Sequence, residues 1–70
     1  MRFELERLIW EARSLSHCSE MFFIQAIKDE RVKQVINQLM KYDSLTEEAN
    51  RYLLSLQRRF ERETGNPYRR

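Results

Sequence analysis

Three residue types that punctuate a chain are nearly missing. The 70-residue sequence has one cysteine, one glycine and one proline. A single cysteine cannot close an internal disulfide, which excludes the stapled secreted scaffolds common at this size. One glycine and one proline leave almost no turns for a multi-stranded sheet. The lone glycine also excludes a glycine-rich phosphate loop. No apolar run approaches the roughly 18 residues of a membrane span, so no membrane partner is expected. The opening Met1-Arg2-Phe3-Glu4 meets charge too early for a secretory leader. A cytoplasmic location is the expectation. Aromatic residues at 11% argue against disorder.

What remains is an all-α protein: a two- or three-helix hairpin or small bundle in a single domain. Helices are expected at about 3–16, 19–41 and 45–64, with a short basic tail at 65–70. The last has the clearest boundaries. Ser44 and Glu47 stand at capping-box spacing. Gly65 suits the left-handed position past a helix end, and Pro67 cannot continue it. Between them Leu45, Ala49, Tyr52, Leu53, Leu56 and Phe60 share one face. Arg59–Glu63 and Glu47–Arg51 are at ion-pair spacing, as is Arg7–Glu11 near the start of the chain.

In the middle segment Val32, Val35, Ile36 and Leu39 form one stripe, to pack on Ala49, Leu53, Leu56 and Phe60 across a connection at 41–44. Met21 and Ile24 continue this stripe. Upstream of it, residues 21–27 are apolar all around the helical circle. A strand there would have no second strand to pair with. In the first segment Leu5, Leu8, Ile9, Ala12 and Leu15 form the main stripe, while Phe3 and Trp10 make a second ridge. Three serines at 14, 16 and 19 favour a break between the first two helices, since their hydroxyls compete for backbone bonds. With no Gly or Pro to enforce it, one long helix from about 3 to 41 is the open alternative.

A domain of about 70 residues rarely gains more than roughly 3–5 kcal/mol from its core without a staple. The surplus apolar faces therefore point to completion by oligomerisation. A homodimer is expected, with Phe3, Trp10, Phe22, Phe23 and Ile27 at its interface.

Chemistry is sparse. His17-Cys18-Ser19-Glu20 is the one cluster of reactive types. Adjacent residues on a helix point about 100° apart, which does not suit a Cys–His pair. A metal site wants three or four ligands, and His17, Cys18 and Glu20 could hold one only with ligands from a second subunit. Cys18 is expected to pack as a small apolar residue. No catalytic residue, metal site or cofactor is expected, and the chain is not expected to be an enzyme.

The charge is divided. Residues 1–30 carry four Lys/Arg against six Asp/Glu, whereas residues 44–70 carry six against four. On the last helix Arg51, Arg58 and Arg62 share the face opposite the apolar stripe, with Leu54 beside them and Arg69 and Arg70 in the tail. This ridge can contact another protein or nucleic acid. The leading reading is a small protein–protein interaction module, an adaptor or regulator. The alternative is a nucleic-acid-binding protein that uses the ridge and tail. A purely structural oligomer is a third possibility.

Overall fold

The computed structural model describes residues 2–68. Four helices follow one another: α1 (Arg2–His17), α2 (Glu20–Lys28), α3 (Arg31–Met40) and α4 (Glu47–Thr64). The protein is all-α, a small bundle with no strand among the described residues. Its core joins Leu8, Ala12 and Leu15 of α1, Phe23 and Ala26 of α2, the α3 stripe Val32, Val35, Ile36 and Leu39, and Leu53, Leu56 and Phe60 of α4. Ala49 is buried as well. The expected stripes of the first, third and fourth helices all face inward.

The break between α1 and α2 is real. Cys18 and Ser19 separate the helices, and Ser19 caps the second: its Oγ accepts from the Phe22 N–H at 3.3 Å. The open choice between a break and one long helix is thus settled for the break.

A second break divides the helix expected at 19–41. Glu30 takes the left-handed conformation (φ 61°, ψ 9°) just past the end of α2, and its carbonyl starts α3 by accepting from the Gln34 N–H at 3.0 Å. Glycine usually fills such a place, because a side chain there costs roughly 1–2 kcal/mol. The turn resets the helical phase. Phe23 and Ala26 face the core, while Met21 and Ile24 turn outward instead of continuing the α3 stripe. Glu30→Gly should therefore stabilise the protein by about 1 kcal/mol, or about 4–8 °C in Tm for a domain of this size. Thermal unfolding followed by circular dichroism checks this, and an unchanged or lower Tm contradicts it.

The cap of α4 also differs from expectation. Thr46, not Ser44, is the N-cap, its Oγ1 accepting from the Ala49 N–H at 3.1 Å. This start places Glu47 and Glu48 in the first turn, where carboxylates complement the helix dipole. It also leaves Leu45 outside the helix, partly buried against the core. Gly65 ends α4 with φ 75°, as expected. Beyond it, Tyr68 lies edge-on to Phe60, with ring centroids 5.5 Å apart, and its hydroxyl donates to Asn37 Oδ1. Arg69 and Arg70 lie outside the described residues.

Candidate functional site

The outward face of α4 carries the basic ridge. Arg51, Leu54, Ser55, Arg58 and Arg62 line one open groove of about 440 Å³, closed on one side by Ser16 of α1 and the flank of Arg59. Helical periodicity alone sets this grouping, since the three arginines lie within about 40° of one another around the helix. Arg62 Nε approaches Glu63 Oε1 at 3.6 Å, a long contact in which the arginine is exposed and the glutamate mostly covered. Among the described residues no carboxylate pairs with Arg51 or Arg58. Leu54 stays half-exposed at the groove, at 51%.

Arg59 behaves differently, and periodicity does not reveal it. Instead of pairing with Glu63, it crosses to the end of α1. Its Nη1 donates to the carbonyls of Leu15 at 3.0 Å and Ser16 at 3.2 Å, and its Nη2 to that of Cys18 at 3.0 Å. The guanidinium also lies over the Phe23 ring, 4.2 Å from its centroid. One side chain thus ties α4 to the α1–α2 junction and satisfies carbonyls that a helix C-terminus leaves open. A hint lies in the sequence: position 59 falls between the apolar stripe and the ridge, and no glycine is available to end α1. Glu11 likewise reaches across the bundle, to Arg31 at 3.3 Å.

The His17–Glu20 cluster is given over to structure. Cys18 is half-buried and its thiol donates to the Leu15 carbonyl at 3.0 Å. His17 lies edge-on to Tyr52, with centroids 6.2 Å apart. Ser19 is a helix cap, and Glu20 occupies the first turn of α2. Among the described residues no three His, Cys, Asp or Glu side chains stand together as a metal site. No described helix is long and apolar enough to cross a membrane.

Two apolar faces remain open. On α1, Phe3 (85% exposed) and Trp10 (66%) point away from the core. On α2, Met21, Phe22 and Ile24 are exposed. Two of the expected interface residues are corrected here. Phe23 is wholly buried and Ile27 is partly buried against the core, because the phase reset at Glu30 turns that side of α2 inward. The same reset adds Met21 and Ile24 to the open face.

No protein-family model, curated protein or solved structure matches the chain.

Proposed function

We propose that this protein is a cytoplasmic, non-enzymatic protein–protein interaction module, an adaptor or regulator that works as a homodimer. The observation that supports it is the α1 ridge, where the two most exposed aromatic side chains stand seven residues apart on one outward face. Aromatic rings bury about 150–250 Å² each and are enriched where proteins meet.

The ridge is self-complementary in one register. With two copies of α1 antiparallel, Phe3 meets the partner's Trp10 and Glu6 meets the partner's Arg7, and two-fold symmetry repeats both contacts. Setting Trp10 against the partner's Trp10 would instead oppose Arg7 to the partner's Arg13. Phe22 and its neighbours on α2 supply a further apolar surface to the assembly.

Sedimentation equilibrium tests the dimer. At tens of micromolar, an affinity range open to interfaces below about 1,200 Å², the protein should sediment as a dimer, and Trp10→Glu should be monomeric with an unchanged helical spectrum. A wild-type protein that is a stable monomer at these concentrations overturns the proposal.

A further inference from the structure

The ridge on α4 has a spacing, a sign and an apolar contact, and together these describe an occupant. Arg51, Arg58 and Arg62 are offset by about 10 Å and then about 6 Å along the helix axis, at 1.5 Å per residue. Leu54 lies between the first two. A helix laid antiparallel along α4 meets all four side chains when it carries acids at one position and at four and eleven positions further on, with an apolar residue eight on. Those positions fall within about 80° of one helical face.

We infer that the groove of Arg51, Leu54, Arg58 and Arg62 receives an acidic amphipathic helix of a partner protein. The inference deepens the interaction-module reading and rests on it. Exposed ion pairs are individually worth less than about 1 kcal/mol. Recognition therefore needs the three carboxylates together, each held by a guanidinium fork, and the apolar contact at Leu54.

Two observations favour a protein helix over a nucleic-acid backbone. Leu54 offers a phosphate chain nothing, yet it gives an amphipathic helix an anchor. Glu47 and Glu61 also stand on the outward side of α4, at the edges of the ridge. A run of phosphates meets both repulsively, whereas a protein helix can set lysine or arginine against them. A second copy of the chain is not the occupant, because no three of its own acids stand at the required spacing.

The probe is a fluorescent synthetic helix of about 18 residues bearing three Glu and one Leu in this register. A control peptide of identical composition has the Glu spread around the helix. Fluorescence anisotropy should show the registered peptide binding at least about tenfold more tightly than the control. Arg58→Glu and Leu54→Glu should each weaken it by about tenfold or more, with circular dichroism unchanged. Equal binding of the two peptides overturns the inference, as does no binding of either. A duplex of about 20 base pairs is the second arm. Duplex binding that is tighter than the peptide's and falls steeply with salt overturns it in favour of nucleic acid. Sedimentation of the same samples reads the dimer separately: peptide failure with an intact dimer removes this inference alone, and a monomeric wild type removes the dimer on which the functional reading stands.

Discussion

Phe23→Ala should leave the protein largely unfolded at physiological temperature. The ring is completely buried, and with Ala26 it is one of the two buried side chains that dock α2 on the bundle. Removing a buried phenyl ring costs about 3–5 kcal/mol through lost transfer energy and the cavity left behind. That is comparable with the whole stability a core of this size supplies. The substitution also removes the aromatic face beneath the Arg59 guanidinium, so a residue on α4 loses a contact when α2 is cut. Urea unfolding followed by circular dichroism should show a midpoint near zero denaturant. Phe23→Leu keeps most of the volume and should cost less, about 1–2 kcal/mol. A wild-type midpoint for Phe23→Ala would show that α2 is not docked through this ring.

The way Phe23 escapes a sequence reading shows where such a reading ends. The seam of Val32, Val35, Ile36 and Leu39 against Leu53, Leu56 and Phe60 is legible because each stripe belongs to one uninterrupted helix, where the 3.6-residue period alone decides which side is buried. The arginine groove is legible for the same reason. Arg51, Leu54, Arg58 and Arg62 share a face whatever α4 packs against, and tertiary structure only adds Ser16 as its wall. The side on which Phe23 falls depends on a phase carried across Asp29 and Glu30. There the chain turns through a left-handed glutamate, with neither glycine nor proline to mark it. A residue that is uncommon in this conformation announces nothing, so Met21 and Phe23 exchange roles. The start of α4 is ambiguous for a different reason. Ser44 and Thr46 are both competent caps, and the choice rests on where Leu45 can reach the core.

Arg59→Met should be the most damaging change on α4 outside its apolar stripe, at about 2–4 kcal/mol, because a polar partner left unpaired costs roughly 1–3 kcal/mol when water cannot replace it. Methionine keeps much of the length and apolar contact of the side chain. What it removes is the set of donors to the carbonyls of Leu15, Ser16 and Cys18, together with a positive charge at the negative end of the α1 dipole. Arg59→Lys restores the charge but not the fork. It cannot reproduce two nitrogens bonding three carbonyls in fixed geometry, and it should recover less than half of the loss. Neighbouring arginines supply the contrast. Arg58→Met, on the solvated ridge, should change stability by no more than about 0.5 kcal/mol. Denaturant midpoints for the three variants give the ordering, and amide hydrogen exchange gives the location. In Arg59→Met, protection should fall first at the α1–α2 junction, since α2 is capped by Ser19 only if the chain turns there. Equal midpoints for the Arg58 and Arg59 variants would mean that the break after His17 stands without its clamp, and that Ser19 alone ends the first helix and begins the second.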